Sequence, residues 1–450
     1  MKHKFLYLTF ALGLILTSCI GGGQTTGRSN NPKITTFRLT SKNTKISLSD
    51  VKYNIQDAND NNGTITEKDS LPYGTNLDSL IVVATGNKLS SVKIFESKNG
   101  VKTKEHDGAD SEPDTVNFSE TVYIETVAED KKTKMTYTVN IHAHRQDPDL
   151  YDWKIVNSEP FNTSGIMQEK VVLNGGNAFV WLIKTASGIS AYSSSDNGKT
   201  WQQKTVTGLP NDIDLQYTLK AKDGLYIAKQ ENLYKSTDGL SWQSSLAGQK
   251  VNNALFEING EIFGINSTER KVYKMAGNLW QEVAIKTTSG RLPEDFPVSG
   301  ASVWTDISAN GIAKVYIAGG EDKNSKLLNT VWLSTDGAYW IKLDNSSTSL
   351  FSPRKGATIF QYDNTLMLVG GQNASGLITS KYHIVSPDYG ITWAEPASNV
   401  ALPSPMFAPR YDAQIIVKDK RIYIFGGQTS AGTFKREVWT GAKSILLWKK

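Results

Sequence analysis

From Ile34 to His144 apolar and polar residues alternate with a period of two. The segments "TTFRLTS", "VKYNIQD", "SLIVVAT", "SVKIFES", "TVYIETVAED" and "MTYTVNIHAH" each present one apolar and one polar face, the pattern of half-buried strands. Polar turns such as "DANDNNG" and "ESKNG" separate them. About seven short strands in about 110 residues predict a β-sandwich over 34–146. "RQDPD", 145–149, is polar and carries a proline that cannot donate to a ladder, so it marks a domain boundary.

Beyond the boundary the chain repeats itself. "SSDNGKTWQQ" has counterparts in "STDGLSWQS", "STDGAYWIK" and "SPDYGITWAE", with degenerate copies "MAGNLWQEV" and "GAKSILLWKK". Their tryptophans, Trp201, Trp242, Trp280, Trp340, Trp393 and Trp448, lie about 40 to 60 residues apart, the length of a four-stranded blade with its loops. The last three units add "VYIAGG", "LMLVGG" and "IYIFGG", and two are preceded by "SPRKG" and "APRYD". Six units predict a six-bladed β-propeller over 151–450. Trp153 is left over; either its strand or that of Trp448 closes the ring.

Two resemblances follow from these strings. Ser-x-Asp-x-Gly-x-Thr-Trp is similar to the Asp box of sialidases, and Arg-strand-turn-strand-Gly-Gly-strand-Trp resembles the kelch repeat. In such a box the aspartate accepts backbone N–H groups and fixes a hairpin at the blade periphery. Asp196, Trp201, Asp238, Trp242, Asp336, Trp340, Asp388 and Trp393 are therefore expected to be structural. "VAEDKKTKMTYTVNI" is similar to the last hairpin of immunoglobulin-like and cadherin-like modules. The expected fold is all-β: an immunoglobulin/cadherin-like β-sandwich followed by a six-bladed kelch-like β-propeller.

The N-terminus changes the picture of location. Met1-Lys-His-Lys, an apolar run from Phe5 to Leu16 and Leu-Thr-Ser-Cys19 form an export signal over 1–18. The last four residues resemble the bacterial lipobox, which implies that Cys19 is acylated and holds the protein on a membrane. Residues 19–33 then form a Gly-rich tether. Ile20, and the lack of any acidic residue before Asp50, favour the outer membrane and its periplasmic side over the cell surface. Cys19 is the single cysteine, so no internal disulfide is expected.

Charge and candidate chemistry mainly exclude. Forty-nine basic against 44 acidic residues give a net charge of +5 with no basic stripe, so no nucleic-acid partner is expected. A sialidase needs three arginines for its substrate carboxylate. Arg270, Arg291, Arg354, Arg410, Arg421 and Arg436 are present in the propeller, but "GRLP" at 290–293 follows three boxes where that family places its arginine motif first. His383 is the propeller's sole histidine and is expected on an exposed outer strand, which leaves no triad and no copper site. Glu294, Asp295, Glu321 and Asp322 fall in loops that could converge as an acid/base pair. His142-x-His144 lacks an evident third ligand, and Asp57, Asn59 and Asn61 only approximate a calcium loop. No metal and no cofactor are expected.

What remains is a face. Loops that join blades or follow Gly-Gly carry Arg291, Arg354, Arg410, Gln372, Gln428 and Tyr411 as expected ligand-binding residues, with Phe296, Phe351, Phe407 and Phe434 as further aromatic surface. "EKDSLPYGTNLDSLIV", 67–82, resembles an uncharacterised family of Bacteroidetes-type lipoproteins with this architecture, a resemblance that carries no catalytic residues. The expectation is a non-catalytic, membrane-anchored binding protein whose propeller face takes a glycan or an envelope protein. A polysaccharide hydrolase or lyase working in the channel, and a scaffold in an envelope complex, are the alternatives.

Overall fold

The computed structural model describes residues 27–58, 61–108, 114–175, 177–229, 232–246, 251–277, 279–307, 310–343 and 349–444. Cys19, the export signal and Trp448 lie outside the described residues. The chain divides into two units at Gln146/Asp147. Both are built of strands, and the helical element among the described residues is one 3-10 turn, Leu215–Tyr217. Among the described residues no helix is long and apolar enough to cross a membrane.

The first unit holds two sheets. One has three strands, Ile34–Ser41, Leu80–Gly86 and Thr115–Val116; the other has six, running Tyr53–Asp57, Asn62–Glu67, Lys134–Asn140, Val122–Ala128, Leu89–Lys98, Val101–Asp107. Asn62–Glu67 pairs with Lys134–Asn140 in parallel, and the remaining pairs of that sheet are antiparallel. Period-two burial puts Phe37, Leu39, Val82, Ile94, Ile124 and Tyr137 into one core shared by both sheets. Tyr137 donates to Asp57 at 2.8 Å, and Lys33 pairs with the same carboxylate at 3.0 Å. Asp57 of "DANDNNG" is thus committed to the core edge, while Asn59 and Asp60 lie outside the described residues. His142 sets Nδ1 2.9 Å from Glu67, and among the described residues no three metal-ligating side chains gather.

Among the described residues the second unit contains, besides a two-stranded ribbon of Gln428–Ser430 and Thr433–Phe434, six four-stranded sheets in chain order. Five are formed by consecutive strands, beginning with Gln168–Leu173, Leu219–Ala221, Leu255–Ile258, Ser302–Ile307 and Lys355–Tyr362. The sixth runs Gln414–Lys418, Arg421–Phe425, Val438–Gly441 and then Lys154–Asn157, a strand from the start of the unit. That strand, beside Trp153, completes the last sheet.

Local chemistry explains the hairpins. Asn259-Gly260, Asp363-Asn364 and Asp419-Lys420 join first to second strands, and all six residues have positive φ, as tight hairpin turns demand. Second strands such as Ala313–Ala318 are buried along almost their whole length, because a neighbouring sheet covers each face. Six apolar clusters fill the six spaces between consecutive sheets. The cluster of Val171, Phe179, Trp181, Tyr423, Phe425 and Val438 joins the last sheet to the first.

The Asp-box hairpins of Asp196, Asp238 and Asp336 lie between third and fourth strands, and that of Asp388 follows His383–Ser386 and leads into the Val385–Ala394 bridge. Asp196 accepts from Lys199 N at 3.1 Å, Thr200 N at 2.9 Å, Thr200 Oγ1 at 2.6 Å and Ser194 Oγ at 2.8 Å. Asp238, Asp336 and Asp388 accept from matching groups. The box tryptophans Trp201, Trp242 and Trp340 donate Nε1 to the glycine carbonyl three residues before, and Trp242, Trp340 and Trp393 are buried. His383 departs from expectation: it is 5% exposed, accepts from Leu402 N at 3.3 Å, and burial pushes its imidazole down to about 4. Its strand is covered by the 397–407 connection, which a strand-by-strand reading does not anticipate.

Replacing Asp196 by Ala strands two backbone donors and the hydroxyls of Ser194 and Thr200. The variant should lose about 1–2 kcal/mol, as a lost helix cap does, and its melting temperature should fall by several degrees in calorimetry. An unchanged melting temperature would show that the hairpin holds without its carboxylate.

Candidate functional site

Antiparallel pairing dictates where a site can form. First strands begin at the end where second strands finish, so the loops joining sheets and those after Gly-Gly gather at one end of the unit. There the starts of all six first strands enclose a cavity of about 310 Å³, each contributing a side chain: Lys170, Leu219, Leu255, Ser302, Thr358 and Gln414. Hydrogen bonds tie these starts to one another. Gly356 N donates to Gly300 O at 3.0 Å, Asp412 N to Gly356 O at 2.7 Å, and Thr358 Oγ1 to Ala413 O at 2.6 Å.

The cavity carries charge. Burial pulls the Lys170 ammonium down to about 8, with Asp412 and Asp214 opposing the shift. Burial pushes Asp412 up to about 6, Lys170 and Lys355 drawing it back and Asp214 adding to the rise. Asp214 caps the 3-10 turn through Gln216 N at 2.9 Å. Lys170 Nζ donates to Gln216 O at 3.2 Å. Tyr217 and Trp304 supply aromatic surface. Both signs are thus held in one small polar space, where each charge is less screened than in bulk water. The sequence reading missed Lys170, Tyr217, Trp304 and Asp412. Their signal was position: each lies in or just before a first strand.

A second cleft of about 800 Å³ lies among the loops of the fourth and fifth sheets, lined by Glu321, Ser325, Lys326, Ser352, Lys355 and Gln372. Lys355 pairs with Glu321 at 2.7 Å, so Gln372 shares this cleft with a bound ion pair. Tyr411 donates to Gln428 Oε1 at 3.0 Å and is itself buried. Arg291 is exposed on its loop. Phe296, Phe351 and Phe407 are buried and offer no platform. The loop carboxylates do not converge freely: Glu294 pairs with Arg270 at 2.8 Å, Asp295 with Lys342 at 2.5 Å, and Asp322 accepts from Asn324 N and Lys326 N.

This closed succession of four-stranded sheets has a counterpart among known families. The sequence matches the family model described as the DUF6242 beta propeller domain over residues 147–450. It also matches the N-terminal domain of the same family, a domain of unknown function, over residues 27–141. The chain belongs to the DUF6242 family. Among curated proteins no sequence matches it.

Within the DUF6242 propeller, Arg354 and Arg410 correct the sequence reading. Both are 0% exposed. Arg354 donates to Ser352 O, Gly370 O and Leu350 O at 3.0, 3.3 and 3.0 Å. Arg410 donates to Ala408 O at 2.9 Å, Gly426 O at 3.1 Å and Glu437 at 2.5 Å. Their guanidinium donors are spent on carbonyls, on the Ser352 hydroxyl and on the Glu437 carboxylate, because Phe351-Ser-Pro and Phe407-Ala-Pro turn the chain so that each arginine folds back into its own sheet. The backbone then serves the neighbour: Gly320 N donates to Arg354 O at 2.8 Å and Gly371 N to Arg410 O at 3.1 Å. A Cβ on Gly370 would lie 2.1 Å from Arg410 O, and φ there is +78°, so glycine is required twice over. Where the last sheet meets the first, Gly427 N donates instead to Glu169 Oε1 at 2.5 Å, while Trp181 Nε1 donates to Oε2 at 3.0 Å.

Two measurements follow for the DUF6242 framework. Arg354→Ala and Arg410→Ala should each cost about 3 kcal/mol by stranding buried carbonyls or Glu437, seen as a fall in melting temperature. Burial pushes the Glu169 carboxyl up to about 8 from its usual 4.5. The folded chain therefore keeps a proton that the unfolded chain releases, so this group's stabilisation is full below about pH 4.5 and is lost as pH rises toward about 8. In urea unfolding, the wild-type midpoint should fall over that range relative to Glu169→Gln, whose amide does not titrate; parallel curves would refute the assignment.

Proposed function

We propose that this DUF6242 protein is a non-catalytic binding lipoprotein of the bacterial envelope. Cys19 carries the lipid, residues 19–33 form the tether, and an immunoglobulin/cadherin-like β-sandwich precedes the propeller along the chain. The six-bladed, kelch-like propeller binds a glycan at its channel mouth. The observation that carries this reading is the cavity ringed by all six first strands, lined by hydroxyl, amide and charged groups beside Trp304 and Tyr217. Such a small polar pocket with aromatic surface suits a ligand rich in hydroxyls. Partners are the lipid membrane, through acylated Cys19, and the glycan. The outer membrane is the proposed location, on its periplasmic side.

One observation favours a second reading. Lys170 at about 8 and Asp412 at about 6 lie on either side of neutrality, as an acid/base pair of a polysaccharide hydrolase or lyase would. Turnover separates the two readings. Residues 20–450 should bind members of a polysaccharide panel in calorimetry without releasing reducing ends or unsaturated products. Product formation that disappears in Asp412→Asn would replace the binding reading with the enzymatic one. Absence of both binding and turnover would shift the face to a protein partner.

A further inference from the structure

Taking the glycan-binding reading as its basis, we propose that the channel mouth holds one neutral terminal sugar residue end-on, its adjacent hydroxyls lying between the Lys170 ammonium and the Asp412 carboxylate. Size is the first constraint. About 310 Å³ is at the small end of ligand pockets, enough for one or two sugar rings and too little for a chain to lie across. A sugar entering here therefore does so by its end, with the rest of the glycan outside the mouth.

Hydrogen-bond chemistry is the second constraint. Each sugar hydroxyl both donates and accepts, whereas an ammonium only donates and a carboxylate only accepts. A lysine and an aspartate that share one cavity thus complement two neighbouring hydroxyls, and bonds to charged groups are the stronger kind. Ser302, Thr358 and Gln414 line the same space and add neutral partners.

Charge balance selects the sugar class. Lys170 and Lys220 line the cavity with Asp412, and Asp214 couples to both Lys170 and Asp412. Lys355, which also acts on Asp412, is neutralised by Glu321 at 2.7 Å. Neither sign dominates, so an acidic or amino sugar gains no net attraction and would leave one buried charge facing its like. A neutral sugar meets both signs at once. Lys220 Nζ is held by Ala221 O at 2.6 Å, a closer bond than the 3.2 Å one from Lys170 Nζ to Gln216 O, and of the two lysines it is Lys170 that acts on Asp412.

The test uses the full-length protein in detergent on a printed glycan array, followed by titration with the methyl glycoside of whichever terminal sugar the bound glycans share. Bound glycans should share a neutral non-reducing terminal residue on differing chains, and exoglycosidase removal of that residue should abolish binding. The methyl glycoside alone should compete. Asp412→Asn, a change its positive φ tolerates, and Lys170→Met should each weaken binding about tenfold or more. Lys326→Ala in the outer cleft should change it less than about threefold by the same measure. Recognition of internal chain segments, a requirement for charged termini, or loss of binding in Lys326→Ala alone would overturn the end-on site while leaving glycan binding intact. An array on which nothing binds would overturn both.

Discussion

The second unit depends on one seam, where a sheet made of C-terminal strands must meet a sheet made of N-terminal ones. A ring of like sheets has no internal end, but a chain has two, and the mismatch has to be absorbed at a single place. Here it is absorbed twice over. Lys154–Asn157 pairs with Val438–Gly441 and completes the last sheet with the first strand of the unit. Beside it, Glu169 accepts from Gly427 N, the position that an arginine carbonyl serves between the fourth and fifth and between the fifth and sixth sheets. The backbone carbonyl is replaced by a side-chain carboxyl because the first sheet has no Phe-x-Pro-Arg turn to present one. If that seam opens, the first and last sheets each expose an apolar face, and the channel loses two of its six walls.

How much of this was legible is best judged from particular residues. Strand-forming segments and the Gly-Gly turns announce themselves through period-two alternation and a repeated dipeptide, because both are local in sequence. The carboxylate of Asp196 is equally local: every group that donates to it lies within four residues. Arg354 and Arg410 were visible as a repeat but misassigned, since their partners include carbonyls 16 residues away and nothing in the string tells an arginine aimed at solvent from one folded back. Glu169 and Lys170 were not visible at all. Two adjacent charged residues in "MQEKVVL" look like an exposed strand end, and only the 258-residue contact to Gly427 gives the glutamate its meaning.

The same neighbouring pair shows how strand geometry divides labour. Successive side chains on a strand point to opposite sides. Glu169 therefore turns into the seam, against Trp181 and Gly427, while Lys170 turns into the channel. One faces a dry, packed interface, and burial drives it toward its neutral form. The other faces a polar cavity, where Asp412 and Asp214 oppose the effect of burial. A single dipeptide thus contributes both to closing the ring and to lining the space that the ring encloses.

That coupling bears on why charges are kept in the channel at all. A sheet ring of this kind could fill its axis with apolar side chains and gain stability, since buried charges are weak contributors even when paired. Leu219 and Leu255 show that two of the six first strands do place leucine there. Lys170 and Asp412, contributed by the first and last sheets, oppose that trend at the one junction already held by a carboxyl and an added strand. The desolvation they bring is tolerable where the framework is most heavily cross-braced, and the polar group pair is then held by rigid strand starts instead of mobile loops. The proposed binding site at the closing seam has its two charged walls fixed relative to one another only when the ring is complete, so the proposed ligand recognition and correct closure would be properties of the same folded state.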